Sequence, residues 1–236
     1  KEIVRLHILN GREITYELYP KADENDLFPF LVSAGALTLM FQIGSYFVNG
    51  SCFICNGNGV LLTGASGSGK SAVQAFFHKR GAPFIADEIC SIVFDNDNQP
   101  LLIPGFPFIQ VWKDIIKKLD INLEHVSKLR KNVEKYVIDA SSLQVKKRVP
   151  LKTLFVFKVE RGIDAPKIEK VTGMKKINLV RQANFRSHWV KTFGLQSKYF
   201  LSTAKMLKEI DVFRILRPEG EFTVEMIAKL IEEKSK

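Results

Sequence analysis

Eight residues in the first third of the chain have the composition and spacing of a phosphate-binding loop. They read GASGSGKS and satisfy the pattern G-x-x-x-x-G-K-[ST]. Glycines let backbone N–H groups turn toward phosphate oxygens, and a helix that follows adds its N-terminal partial charge. We expect Lys70 to contact the β and γ phosphates of a nucleoside triphosphate, and the Ser71 hydroxyl to bind Mg²⁺. The residues predicted to bind the nucleotide are Gly64, Ala65, Ser66, Gly67, Ser68, Gly69, Lys70 and Ser71.

The segments on either side of this phosphate loop (Gly64–Ser71) predict the elements that must position it. The apolar run GVLL predicts a buried strand before the loop. A helix is predicted from about Lys70 to Lys79, ended by Gly81. A Gly/Ser-rich linker that matches the pattern by chance is the alternative. A linker would not lie between a buried strand and an amphipathic helix, so we favour the nucleotide site.

Two adjacent carboxylates follow the predicted helix and could complete the site. Asp87 and Glu88 stand at the end of the apolar run FIADE, 17 and 18 residues after Lys70. Strand, helix and strand at this spacing predict a βαβ unit whose parallel neighbours bring Asp87 beside the phosphate loop. Asp87 would then ligate Mg²⁺ together with Ser71, and either acid could take a proton from an attacking hydroxyl. A solvated loop end is the alternative.

Composition narrows the classes of partner without choosing one. The chain has 35 Lys+Arg against 25 Asp+Glu, a formal net charge of +10, which favours an anionic ligand. It lacks a basic stripe with interleaved aromatic residues of the kind that stacks bases, so we expect no nucleic acid partner. Cys52, Cys55 and Cys90 are too few and too scattered for a disulfide framework. We expect buried thiols on opposite strand faces rather than a metal site, in a cytoplasmic protein.

The remaining sequence predicts a mixed α/β fold. Asn10-Gly11 indicates a hairpin between IVRLHI and EITYELY, and strands are predicted at FIADE, CSIVFD, LKTLFVFKV and VFRILRP. The uncharged segment from Leu27 to Val48 is long enough to cross a bilayer. It contains Pro29, Gly35, Gln42 and Gly44, so we expect a buried helix followed by a strand and no membrane span.

The ordered set of motifs resembles the HPr serine kinase C-terminal domain family, and in particular its HPr-kinase-like branch found with lasso peptide biosynthesis. The resemblance covers about Tyr46 to Pro218 and includes the phosphate loop, RGAPFIADE, PGFPFIQVW and VFRILRP. It implies a phosphate-loop kinase core of the HPr kinase and phosphoenolpyruvate carboxykinase type, with a mixed sheet flanked by helices. It divides the chain into residues 1–45, a hairpin and helix packed on the core, and residues 46–236, the kinase domain.

The chain departs from the family pattern at three places. Glu88 replaces the second of two aspartates, and Asn49 stands where the family often has histidine. A Glu-x-Arg-Gly signature is absent, which argues against HPr itself as the acceptor. The resemblance also places Arg186, after an aromatic residue, where it could hold phosphate in the transition state. Arg130 and Lys131 are lesser candidates for that role.

The resulting hypothesis is an ATP- and Mg²⁺-dependent kinase. It would transfer the γ-phosphoryl group to a serine hydroxyl of a peptide or small protein, such as a lasso precursor peptide, with Asp87, Glu88, Lys70 and Arg186 as catalytic residues. The alternative is a nucleotide-binding regulator with weak activity, or an ATPase. A homo-oligomer remains open. Trp112 is expected in the core, with a substrate wall as the alternative.

Overall fold

The described residues form more strand than helix. A computed structural model describes residues 3–130, 133–182 and 187–235. Within these ranges the strands are β1 (Val4–Leu9), β2 (Glu13–Leu18), β3 (Phe47–Cys55), β4 (Asn58–Gly64), β5 (Phe84–Phe94), β6 (Pro100–Leu102), β7 (Phe108–Trp112), β8 (Val126–Arg130), β9 (Val133–Asp139), β10 (Val149–Glu160), β11 (Lys167–Lys170) and β12 (Asp211–Pro218).

The helices lie between and after these strands. They are α1 (Leu27–Phe30), α2 (Ala36–Gln42), α3 (Lys70–Lys79), α4 (Lys113–Lys118), α5 (Met174–Gln182), α6 (Ser187–Thr192), α7 (Gln196–Glu209) and α8 (Val224–Lys234). A π-helical stretch, Leu31–Gly35, joins α1 to α2. The helix predicted after the phosphate loop is confirmed as α3, and Gly81 follows its end with φ +83°.

The largest sheet has seven strands in the order β11-β12-β10-β4-β3-β5-β6. Only the pairings of β10 with β4 and with β12 are parallel, and the other pairings of this sheet are antiparallel. The short β6 also pairs with the start of β10. The predicted mixed sheet flanked by helices is therefore confirmed. That the core is of the HPr kinase type stays a prediction.

The predicted βαβ unit with adjacent parallel strands is wrong. Strand β3 lies between β4 and β5 and pairs with both of them in the antiparallel sense. Strands β4 and β5 are thus parallel to one another but are separated by one strand. The runs FIADE and CSIVFD, predicted as two strands, form the single strand β5. Asp87 and Glu88 consequently lie inside a strand and not at its end.

Two apolar layers cover the two faces of this sheet. One layer contains side chains of α2, α5, α6 and α7, with Phe41 and Tyr199 among its aromatic residues. The other contains side chains of α3, α4, α8, β7 and β9. Cys52 belongs to the first layer and Cys55 to the second, so the two thiols point to opposite faces as predicted. All three cysteines are buried and unpaired.

The N-terminal hairpin, β1 with β2, is a separate two-stranded sheet that contacts α2. The Gln42 side chain donates to the Ile8 carbonyl at 2.8 Å and accepts from the Gly11 N–H at 2.7 Å. The hairpin prediction is confirmed, and its loop has three residues instead of two, because Leu9 pairs with Glu13. Among the described residues no helix has the length and apolar character to cross a bilayer.

A second, three-stranded sheet has the order β7-β9-β8 and is antiparallel. Its strand β7 contacts both α3 and β5. Ile109, Val111 and Ile138 from this sheet are buried in the same apolar layer as α3. The three-stranded sheet is therefore fixed against the helix that follows the phosphate loop, and its side chains can reach the loop.

Candidate functional site

A cavity of about 570 Å³ opens where the phosphate loop meets the two sheets. Its volume is in the range of small-molecule sites in proteins. Six segments line it: the strand β3, the phosphate loop with the start of α3, the middle of β5, the strand β7 with α4, the strand β9, and the end of β12 with the residues that lead into α8. The predicted loop and both predicted acids line this one cavity.

Two glycines of the phosphate loop occupy positions that other residues would not tolerate. A Cβ atom at Gly64 would lie 2.6 Å from the Phe157 carbonyl oxygen, because β4 and β10 approach closely there. Gly69 has φ +105° and immediately precedes α3. These constraints bring the chain sharply from β4 into the helix, so that the helix N-terminus points into the cavity.

The Lys70 ammonium lies inside the loop that precedes it. Nζ donates to the Gly64 carbonyl at 3.0 Å and to the Ala65 carbonyl at 2.9 Å. Burial lowers the pKa of Lys70, and the nearby Asp87 and Glu88 carboxylates partly oppose that effect. The charge is thus held at the centre of the loop.

The other loop residues divide into two groups. Of the seven predicted residues other than Lys70, six line the cavity, namely Gly64, Ala65, Ser66, Gly67, Gly69 and Ser71. Ser68 differs, because its side chain is only 2% exposed and its N–H donates to the Ala65 carbonyl at 3.2 Å. Ser68 thus shapes the loop, while its neighbours face the cavity.

Asp87 is held beside Ser71 by three donors. Its Oδ1 accepts from the Ser51 hydroxyl at 2.6 Å and from the Ser71 hydroxyl at 3.3 Å. Its Oδ2 accepts from the Gln110 N–H at 3.0 Å. Ser51 lies opposite Asp87 on the intervening strand β3. The carboxylate therefore reaches the loop across β3, and the predicted proximity of Asp87 to Ser71 is present although the predicted strand order is not.

Burial and the neighbouring Glu88 carboxylate raise the pKa of Asp87 to about 6. The hydrogen bonds from Ser51 and Gln110 and the charge of Lys135 act in the opposite direction. A carboxyl with a pKa near 6 is ionised at neutral pH and can still accept a proton efficiently.

Glu88 forms an ion pair with a lysine, whereas Asp87 is held by hydroxyl and N–H donors. Its Oε1 lies 2.8 Å from the Lys135 ammonium, which is supplied by β9 of the three-stranded sheet. The two side chains are 37% and 22% exposed, respectively, and both line the cavity. Glu88 has φ +67° in the middle of β5, a backbone conformation that costs on the order of 1 kcal/mol or more for a residue with a side chain. Asn49 donates to the Glu88 carbonyl at 2.9 Å.

The donors around Asp87 suit Mg²⁺. Mg²⁺ takes oxygen ligands and is commonly held by one or two protein groups together with waters and substrate phosphates. Ser71 Oγ and Asp87 Oδ1 are oxygens that face the same cavity, beside Lys70. No cluster of three His, Cys, Asp or Glu side chains exists among the described residues, so the part of the chain in view holds no complete metal cage.

Four further sequence candidates have different outcomes. Arg186 and Lys131 lie outside the described residues, and the side chain of Arg130 is also outside them. The expectation of a buried Trp112 is wrong, because this side chain is 53% exposed and lines the cavity. Trp112 ends β7 beside α4, so its ring extends from the sheet edge into the cavity.

Several cavity residues were not predicted from the sequence. Gln110 contributes only its N–H, which any residue type would supply. Lys135 is one of 35 Lys and Arg residues and lies 47 positions from Glu88, so no local spacing marked it. Arg217 could have been suspected from the VFRILRP motif, and it lies close to Gly69. Phe222 lies in a short segment without periodicity.

Comparisons with known proteins give little beyond these observations. No family model matches the chain, and no curated protein matches it. Among solved structures, the chain is similar to the HPr(Ser) kinase/phosphatase from Coxiella burnetii. The identity is 15%, the match covers 80% of this chain and 92% of that chain, and the TM-score is 0.41. A likeness of this size carries no argument about function, and membership of the HPr kinase family stays a hypothesis.

Proposed function

We propose that this protein is an ATP- and Mg²⁺-dependent phosphotransferase that acts on a serine hydroxyl of a peptide or small protein, such as a lasso precursor peptide. In this proposal the phosphate loop binds the triphosphate and Lys70 neutralises charge on its β and γ phosphates. Ser71, at the start of α3, and Asp87, on β5, face the same phosphates.

One observation carries the proposal: the Asp87 carboxylate lies 3.3 Å from the hydroxyl of Ser71, the last residue of the loop GASGSGKS. Asp87 reaches this position from a strand two places away from β4. A phosphate-loop motif alone is common, and a glycine-rich turn alone binds nothing in particular. A loop, a lysine, a hydroxyl and a carboxylate around one cavity match the requirements of phosphoryl transfer.

Mg²⁺ would be held by Ser71 and Asp87 together with phosphate oxygens. When bound, Mg²⁺ neutralises charge on the transferring phosphoryl group. The protein contributes the orientation of these two ligands, since Ser51 and the Gln110 N–H fix the Asp87 carboxylate.

The two acids receive different roles in this proposal. Asp87, with its pKa raised to about 6, is suited to receive the proton of the acceptor hydroxyl. Glu88 is engaged by Lys135 at 2.8 Å and holds that ammonium at the cavity wall. Lys135 would then supply positive charge opposite Lys70, the role for which the sequence suggested Arg186.

A second candidate function is a nucleotide-binding regulator or an ATPase. The ion pair between Glu88 and Lys135 favours it, because Glu88 in this arrangement is not available as a base. Only Asp87 then remains of the two predicted acids to activate an acceptor. A protein that hydrolyses ATP slowly, or binds it without turnover, needs no acceptor activation.

Phosphate transfer from γ-labelled ATP separates these functions. The protein, with Mg²⁺, is incubated with synthetic peptides that carry serine internally or at the C-terminus, and with matched peptides that carry alanine. We expect label on serine peptides only, and at least about a hundredfold less label with Asp87→Asn. ADP without labelled peptide indicates an ATPase, binding without ADP indicates a regulator, and absence of ATP binding contradicts all three.

A further inference from the structure

We propose that the part of the cavity beside Phe222 and Arg217 binds the nucleoside of the triphosphate, with an aromatic base against the Phe222 ring. This inference rests on the proposed function, because it assigns the donor's base to the same cavity. It concerns residues that the phosphate-loop motif does not include.

The position of this subsite follows from the strand order. Strands β3 and β5 lie on one side of β4, and β10 and β12 lie on the other. Neighbouring strands are about 4.8 Å apart, so the backbones of β5, which carries Asp87, and β12, which carries Arg217, are about 19 Å apart across the sheet. The phosphate loop lies between them, and both residues line the cavity. A ligand whose γ-phosphate lies near Asp87 therefore extends toward Arg217.

Arg217 marks the boundary between the phosphate loop and this second region. A Cβ atom at Gly69 would lie 3.7 Å from Cδ of Arg217, so the arginine lies directly over the loop. Nη1 donates to the Glu221 carbonyl at 3.2 Å. The buried Nε has no hydrogen-bond partner among the described residues. A guanidinium so placed can donate to an α-phosphate or to a ribose oxygen.

The wall beside Arg217 is apolar and carries an exposed aromatic ring. Phe222 is 38% exposed and lines the cavity. Val224 and Ile227 line it as well and are buried in the layer beneath. An exposed aromatic ring over an apolar floor suits a flat heterocyclic base, because base stacking on an aromatic side chain is favourable for every base.

Charged side chains of both signs line the cavity near Phe222, where Asp114, Lys118 and Glu221 accompany Arg217. Lys118 lies 3.5 Å from Asp114 and its ammonium is 5.2 Å from the centre of the Phe222 ring. Carboxylates repel phosphates but accept hydrogen bonds from ribose hydroxyls. The carboxylates near Phe222 can therefore accept from the ribose hydroxyls of a bound nucleoside.

Calorimetric titration with Mg·ATP and with Mg·tripolyphosphate tests the subsite. Tripolyphosphate has the three phosphates and lacks the nucleoside. We expect Phe222→Ala to weaken ATP binding about 5- to 100-fold, the range expected from the loss of one base stack, and to leave tripolyphosphate binding unchanged. Phe222→Tyr keeps a ring and should retain ATP binding. Phe200→Ala, an exposed phenylalanine on α7 that does not line the cavity, is the matched control.

Each other outcome overturns the inference. Equal losses of ATP and tripolyphosphate would mean that Phe222 supports the loop and not the base. An effect confined to the KM of an acceptor peptide would assign the aromatic wall to the acceptor. ATP binding by Phe222→Ala equal to that of Phe200→Ala would exclude the subsite while leaving the phosphotransferase proposal intact. A parent protein that binds neither ligand would contradict the proposed function itself.

Discussion

The phosphate loop and the three-stranded sheet β7-β9-β8 line the same cavity, but their residues arrive there by different means. The loop's lysine and hydroxyl belong to eight consecutive residues, so their geometry is encoded locally. The sheet contributes the Gln110 N–H and the Lys135 ammonium, which meet Asp87 and Glu88 through tertiary packing alone. A local motif can specify what a site binds, while distant segments set the electrostatics of its carboxylates.

Substitution of the two acids should change phosphoryl transfer the most, and it should distinguish the role of Asp87 from that of Glu88. Asp87→Asn is expected to lower phosphoryl transfer by about two to four orders of magnitude and to weaken apparent Mg²⁺ affinity, since the carboxylate is proposed to serve both metal and proton. Glu88→Gln should lower turnover less and retain nucleotide binding, because it removes only the partner of Lys135. The measurement is a Mg²⁺ titration of phosphopeptide formation. If both variants equal the parent, neither acid acts in the reaction.

Lys135 tests the contribution of the three-stranded sheet. We expect Lys135→Ala to reduce kcat about ten- to a hundredfold with ATP affinity nearly unchanged, because the ammonium is proposed to act on charge that develops in the transition state. Lys128→Ala is the matched control, since Lys128 pairs with the exposed Glu134 on the same sheet at 2.7 Å. Equal kcat values for the two variants would limit the sheet to a structural role.

The dependence of kcat/KM on pH should report the raised pKa of Asp87. Its pKa of about 6 predicts that kcat/KM falls about tenfold per pH unit below that value, as the carboxylate is protonated. The Ser51 hydrogen bond lowers this pKa, so Ser51→Ala should move the acid limb upward by up to about one unit. Ser33→Ala, whose hydroxyl bonds to the Pro29 carbonyl outside the cavity, should leave the limb in place. A limb that stays fixed in Ser51→Ala would contradict the assignment to Asp87.

Replacement of Asp87 should raise the free energy of unfolding although it lowers activity. The folded pKa of about 6 lies above the ordinary 3.8, so the ionised carboxylate destabilises the fold, and this penalty grows as pH rises from about 4 to 6. Asp87→Asn should therefore be more stable than the parent at pH 8, by about 1 to 2 kcal/mol after loss of the Gln110 hydrogen bond. Urea unfolding at pH 5 and pH 8 should show the gain shrinking at pH 5. A gain that is equal at both pH values would exclude this cause.

The sequence predicted local elements better than it predicted their neighbours. Helix α3 and the N-terminal hairpin were predicted because glycines and apolar periodicity mark them directly. The order of β4, β3 and β5 was not, since a spacing of strand, helix and strand does not reveal that an earlier strand inserts between them. Glu88 has positive φ within a strand, and only the surrounding structure, including the Asn49 hydrogen bond, maintains that conformation.

At the candidate site, too, local features were predicted better than the contacts between distant segments. The predicted proximity of Ser71 and Asp87 is present because the carboxylate reaches across β3, with Ser51 as the bridging donor. Lys135 was not predicted, since an isolated lysine in an alternating strand carries no signal of its partner. The assignment of Trp112 to the core failed for a related reason. Apolar residues at a sheet edge follow the same pattern whether they are covered by protein or line a cavity.

Thermal unfolding with increasing Mg·ATP tests most directly whether Lys70 and its loop bind a nucleoside triphosphate. A ligand that binds only the folded state at a hundred times its Kd stabilises it by about 2.7 kcal/mol, so the parent Tm should rise with ATP concentration. Lys70→Ala should fold without ATP and need at least about tenfold more ATP for the same Tm rise, since it lacks the central ammonium. Lys229→Ala, an exposed lysine of α8, should match the parent. A Lys70→Ala variant that gains the full stabilisation at the parent's ATP concentration would contradict the account.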